Sequence, residues 1–302
     1  MGVNTAIRVI MVYNLRKMRN PINLGSLILA AALLLIGFTS CNKLKENRDN
    51  ITSAEDFAAS ETEAAGLFDV SDDANETGMQ MTIVPQGATF RWIDSTSTIK
   101  IYELDFGPLG TTEPKGKLCG DGRYRAGKVL ISFSSPYKNV GAVATVKTTS
   151  SDLFYSGDGS NMTQIVTDIT IKRTAVYSFE ITVNSGQLLF SDGKTASFQG
   201  VRNVTKTSGM TTSGVWGDEY EVTGSGSGVN REGDNYTWNI TTPLLKRMQL
   251  GCARTFVKGI ISVKNVDAGR SLDVDFDPYN NAACDRTAKA IVGGRSIVFT
   301  VR

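Results

Sequence analysis

Histidine is absent from all 302 residues. That single absence removes the Ser/His/Asp triad, the Cys/His dyad, the H-E-x-x-H zinc motif and any histidine pH switch. Proline (7), cysteine (4) and tryptophan (3) are also scarce. Charged residues make up only 21% of the chain against 41% apolar ones, a balance that can bury a core and does not fit a disordered chain. The length allows one large all-β domain or two smaller ones.

Acids are missing from the first 40 residues, whereas Arg8, Arg16, Lys17 and Arg19 all lie there, ahead of an apolar run from Leu24 to Phe38. That run is 15 residues long. A membrane-spanning helix needs roughly 20 apolar residues and a secretory h-region about 7 to 15, so the pattern predicts a cleaved leader over residues 1–40. Met18 alone would open a leader of ordinary length. Phe38-Thr39-Ser40-Cys41 resembles the lipobox of bacterial lipoproteins, with Phe38 where an aliphatic residue is usual. The resemblance implies that Cys41 is lipidated and becomes the first residue of the mature chain.

Losing residues 1–40 removes four cations and no anion, so 32 bases and 30 acids become 28 and 30, a net of −2. A nearly balanced surface offers no electrostatic footprint for nucleic acid, which is therefore not an expected partner. The expected membrane contact is hydrophobic instead, through acyl chains worth about 0.8 kcal/mol per buried methylene.

Residues 41–51 are polar and aperiodic and read as a tether. Thr52-Ser53-Ala54-Glu55 then has capping-box spacing, and Phe57, Ala64, Ala65 and Phe68 fall near one helical face. One helix of about 15 to 20 residues is expected within residues 52–77. Its acids Glu55, Asp56, Glu61 and Glu63 read as a solvated face.

From residue 78 to 302 the period is two. Ala175, Tyr177, Phe179, Ile181 and Val183 share one face of a candidate strand, and Val129/Ile131/Phe133, Leu272/Val274/Phe276 and Ile297/Phe299/Val301 repeat the pattern. Asp121-Gly122, Asp158-Gly159 and Asp192-Gly193 are hairpin signals, read as type I′ turns. Gly224, Gly226 and Gly228 alternate with small hydroxyls, and Tyr236, Trp238 and Ile240 on the next strand are the natural cover for that bare face. The fold expected is mainly β, an antiparallel meander closing as a sandwich or a partly open barrel-like sheet, preceded by one short helix.

Several segments together resemble a group of uncharacterised exported lipoproteins of the Bacteroidota. They are Leu104-Asp105-Phe106-Gly107, the stretch Cys119 to Lys128, Tyr220 to Arg231, Thr241-Thr242-Pro243-Leu244, Leu250-Gly251-Cys252 and Cys284-Asp285. Where that group has a short glycine-rich turn before its last cysteine, this chain has the longer Asp277 to Ala283. The group has no established activity, so the resemblance implies an exported all-β body and transfers no catalytic residue.

With Cys41 lipidated, Cys119, Cys252 and Cys284 remain, which in an oxidising compartment means one pair and a spare thiol. Cys252 with Cys284 is the favoured disulfide because both lie in the carboxy-terminal meander, although Cys119 could replace either. Three cysteines without histidine make a poor zinc site. Asp273, Asp275 and Asp277 would line one strand face as a hard-oxygen array, but Leu272, Val274 and Phe276 claim the core side and turn the acids to solvent. Asp94-Ser95-Thr96 matches the short sequon for O-glycosylation in the Bacteroidota and makes Ser95 a candidate modification site.

No cofactor or metal is expected. The reading is a lipid-anchored protein of the cell envelope, in the outer membrane with its leaflet open, acting as a non-catalytic binding or structural module for an envelope protein or a glycan. Two alternatives stand beside it. One is a carbohydrate-active enzyme using paired carboxylates, with Trp92, Trp216 and Trp238 as a sugar platform; the other is an accessory partner of an outer-membrane transporter or secretion complex.

Overall fold

The computed structural model describes residues 51–73, 83–85, 87–94, 98–134, 137–149, 151, 153–211, 214–292 and 294–301. Among the described residues, fifteen strands build one antiparallel sheet around one helix, α1, over residues 51–73. The strands are β1 (Thr89–Asp94), β2 (Lys100–Asp105), β3 (Lys117–Leu118), β4 (Tyr124–Phe133) and β5 (Val143–Thr148). Next come β6 (Phe154–Gly157), β7 (Met162–Ala175), β8 (Ser178–Leu189), β9 (Thr195–Ser208) and β10 (Glu219–Val229). The last are β11 (Asn235–Arg247), β12 (Phe256–Asn265), β13 (Arg270–Asp275), β14 (Thr287–Val292) and β15 (Arg295–Thr300). Neighbours in sequence are neighbours in space from β7 to β15, and β3 and β6 are short side pairings on β4 and β7. This is the expected mainly β meander, as a single sheet.

Strand alternation sets the buried face. Val129, Ile131, Leu272, Val274 and Phe276 all point into the core, as does the run Phe179, Ile181 and Val183 on β8. Ala175 and Tyr177 do not continue that face, because Ala175 ends β7, Tyr177 lies in the turn to β8, and both are exposed. Ile297 is likewise exposed on β15, the edge strand, and only Val301 of that trio is deeply buried. The β8–β9 hairpin turns where expected: the Phe190 N–H donates to the Lys194 carbonyl at 2.9 Å, and the Gly193 N–H to the Phe190 carbonyl at 3.0 Å. Gly193 has φ 82° and Gly122 the same value, whereas neither Asp192 nor Asp121 has positive φ. The turns at residues 119–123 and 190–194 are thus three-residue loops closing on a left-handed glycine, not type I′, and the aspartate instead accepts a backbone N–H two residues on.

Helix α1 departs most from expectation. Thr52 is no N-cap, since residue 51 is already helical, and the helix covers 51–73, longer than 15 to 20 residues. Of the acids expected on a solvated face only Glu55 is exposed, while Asp56, Glu61 and Glu63 are buried. Residues 60 to 64 are all buried, and five consecutive helical residues cover more than a full turn of 3.6. A flat sheet shields one side of a helix, so burial all round requires the sheet to curl about α1. Phe57 packs on Trp238 of β11 at 5.1 Å between ring centroids, and Phe68 on Phe179 of β8 at 5.3 Å. The helix is the centre of the core, not an appendage before the β domain.

The glycines of β10 explain how a bulky ring fits beside that helix. Gly226 pairs with Trp238 and Gly228 with Tyr236. A Cβ on Gly226 would stand 2.6 Å from the Trp238 ring, and one on Gly228 2.5 Å from the Tyr236 hydroxyl. The bare face is filled by aromatic rings from the next strand, as the alternation implies.

Candidate functional site

The interior is unusually ionic, and its charges are paired between helix and sheet. Arg202 of β9 donates through Nε to Glu61 at 2.7 Å, and Arg231 of the β10–β11 turn donates its N–H and its Nε to Asp56 at 2.7 and 2.6 Å. Lys246 of β11 meets Asp69, and Arg123 meets Glu63. Tyr220 donates to Asp218 at 2.8 Å and lies 3.2 Å from Asp72. Burial pushes the Asp69 carboxyl above its usual range even against Lys246, and does the same to Asp56 against Arg231. Removing one member of such a pair strands the other charge, at a cost of about 3–5 kcal/mol. Between Ala64, Phe68, Ile181, Val204 and Tyr220 only a void of about 20 Å³ remains.

A second ionic cluster lies at a corner built by the disulfide. Cys252 and Cys284 are joined, with Cα atoms 4.5 Å apart. Each is followed two residues later by an arginine, Arg254 and Arg286. The long loop before Cys284 is held by Asp277, whose Oδ1 accepts the N–H of Asn281 at 2.8 Å and of Ala282 at 2.9 Å. Asn280, Ala282 and Arg286 have positive φ there without being glycine. The turn between β3 and β4 approaches the same corner, and a Cβ on Gly122 would lie 3.6 Å from Cδ of Arg254. Arg123, from that turn, is 1% exposed.

The nitrogens of this cluster are not all used. Arg123 spends Nη1 on Glu63 and on Ser156 Oγ at 3.1 Å, while its Nη2, the Nε of Arg254 and the Oγ1 of Thr255 are buried with no partner among the described residues. Each such group costs about 1–3 kcal/mol if nothing meets it. The nearby carboxylates are committed elsewhere. Asp121 accepts from Arg125 through both oxygens, at 2.9 and 2.6 Å, and Asp158 accepts backbone N–H groups of its own turn. Burial, with Arg123 and Arg286 adding repulsion, brings the Arg254 guanidinium down to about 10.

The other sequence candidates are dispersed. Cys41 and Ser95 lie outside the described residues. Cys119 is a buried thiol 3.6 Å from the Lys117 carbonyl, and burial pushes it up, away from the reactive thiolate. Trp238 lies in the core, Trp216 is half-buried at the edge of the core cluster, and Trp92 is 41% exposed on β1 beside Phe90 and Tyr102, so the three form no common platform. Asp275 pairs with Lys289 at 3.2 Å, and Asp277 caps its loop. A surface groove of about 320 Å³ crosses β8 to β11 and is lined largely by small polar side chains such as Ser185, Ser197, Gln199, Ser227 and Thr237.

The arginine corner and the acids of α1 were missed in the sequence for one reason. Arg123, Arg202 and Lys246 sit at inward positions among apolar neighbours, a phase visible only once strand register is known. Cys252-x-Arg254 and Cys284-x-Arg286 were readable as a repeated spacing. Searches of protein-family models, curated proteins and solved structures find no match to this chain.

Proposed function

We propose that this chain is a lipid-anchored protein of the cell envelope, outer-membrane by preference, whose β body is a non-catalytic binding or structural module. The observation that carries the reading is the order of parts at the amino terminus. A basic stretch, a 15-residue apolar run and a small-residue segment end at Cys41, followed by the polar residues 42–50 and then at once by α1. The anchor would thus be joined to the element most deeply held by the body, through Asp56, Glu61, Glu63 and Asp69 and their bases. A pull on the tether would be borne by buried ion pairs and not by an edge strand. The interior carboxylates hold the helix in place, which supports a module that binds or spaces over one that turns over substrate.

The test is metabolic labelling with a palmitate analogue, with membrane fractionation, of wild type and Cys41→Ala. Label is expected on the wild type and lost in the variant, together with a shift to the soluble fraction. Equal labelling of both, or label on neither, overturns the anchor.

A further inference from the structure

The corner beside the disulfide holds more positive charge and more donor N–H groups than the protein itself uses. Arg123 already has Glu63, and Arg125 already has Asp121. Arg254 and Arg286 form no salt bridge among the described residues; Asp121, Glu63 and Asp158 act on Arg254 only from a distance, and each of those carboxylates already has its own hydrogen-bond donors. A disulfide and a glycine turn force Arg123, Arg254 and Arg286 together against their mutual repulsion. A buried, unpartnered Nη2 on Arg123, with an unpartnered Nε on Arg254, supplies donors whose natural complement is a charged oxygen. One carboxylate would neutralise one charge and occupy one guanidinium fork. A tetrahedral oxyanion instead offers several oxygens to donors arriving from separate loops.

We propose that Arg123, Arg254 and Arg286 form a binding site for a tetrahedral oxyanion, a phosphate or phosphoester group, with Arg254 as its main donor and the Cys252–Cys284 bridge as the clamp that assembles it. Thr255, next to Arg254 in the chain, also has a buried Oγ1 with no partner among the described residues. The inference deepens the binding-module reading by naming a ligand class, and it does not depend on the anchor. Phosphate binding to a chain that carries no acyl label would leave it standing, whereas a labelled chain without phosphate binding would remove this inference alone.

The experiment is thermal unfolding and calorimetric titration of the full-length chain with inorganic phosphate, with chloride and acetate at matched ionic strength. Arg254→Gln, Arg286→Gln and the control Arg295→Gln are run beside it. Arg295 starts β15 and pairs with Val292, at the far end of the β14–β15 hairpin from Arg286. Phosphate is expected to give a saturable upward shift in Tm and a measurable binding isotherm that chloride and acetate do not reproduce. Arg254→Gln and Arg286→Gln should each lose at least tenfold in affinity, and Arg295→Gln should bind as wild type. Without phosphate, Arg254→Gln should unfold at the same temperature as wild type or higher, because it removes repulsion and breaks no ion pair. A phosphate effect equal to that of chloride, or one that survives in both Arg254→Gln and Arg286→Gln, overturns the site. So does an Arg254→Gln variant that unfolds well below wild type in the absence of phosphate, since that would make the side chain structural.

Discussion

Two buried carboxylates, each beside a cation, end on opposite sides of their usual range. Asp69 has one ammonium partner, Lys246, and burial wins. Asp121 is also pushed up by burial, but the two-point grip of Arg125, with Arg123 behind it, takes it below the ordinary value of 3.8. A carboxyl depressed on folding adds stability that is present above the unfolded value and is lost as pH falls through the folded one. Asp121→Asn should therefore cost about 3 kcal/mol at pH 7, because it strands Arg125 in the core. The gap from wild type should begin to narrow as pH falls below about 4, where the unfolded chain's aspartate takes up a proton while folded Asp121 stays ionised, and should go on narrowing until pH passes the folded value. Asp56 moves the other way, its contribution being greatest below the unfolded value and lost as pH rises, but it does so in both proteins and cancels in the difference; Asp69, which the Asp121 charge helps to raise, is raised less in the variant. Urea unfolding of the pair at pH 7 and pH 3 checks this. A gap that stays constant between the two would mean that the Asp121 charge is not what Arg125 needs.

Among the elements, β10 and α1 differ in how far they could be read. The glycine alternation of β10 and the aromatic alternation of β11 are both period-two signals, and register then placed Gly226 opposite Trp238. Turn positions were legible from Asp-Gly pairs, whereas turn type was not, because the aspartate can bond its own backbone and leave only the glycine left-handed. α1 was legible as a helix and illegible as a core. Acids spaced along a helix look solvated unless the bases that answer them are known to face inward, and Arg202 and Lys246 lie far away in sequence. For β10 the consequence is local. Gly226→Ala drives a methyl against the Trp238 ring and the Gln199 carbonyl and should cost about 1–3 kcal/mol as overpacking. Ser225→Ala, exposed on the same strand, should stay within about 0.5 kcal/mol. Denaturant midpoints for the two variants decide it, and equal losses would mean that the strand, not the ring contact, is what the glycine serves.

At the scale of the molecule, the body is a sheet whose lining was written for a helix. Without α1, Arg202, Arg123 and Lys246 would face an opened interior with no counter-charge, and Trp238 and Phe179 would lose the aromatic rings of Phe57 and Phe68. Each stranded cation costs about 3–5 kcal/mol, and a whole domain is stable by only about 5–15 kcal/mol. Three such losses, about 9–15 kcal/mol, are as large as that margin before any lost apolar contact is counted. A chain of residues 74–302 should thus show no cooperative unfolding transition and rapid proteolysis, whereas residues 41–302 should melt cooperatively. Adding a synthetic peptide of residues 49–77 to the shorter chain should restore protease resistance in a dose-dependent way, and the same peptide with Glu61→Ala and Asp69→Ala should not. A folded, protease-resistant 74–302 chain would show that the sheet carries its own core and that the helix is merely housed there. Rescue by the doubly substituted peptide would show that apolar packing, and not the ion pairs, seats the helix, and the proposed route of force from anchor to body would then lose its physical basis.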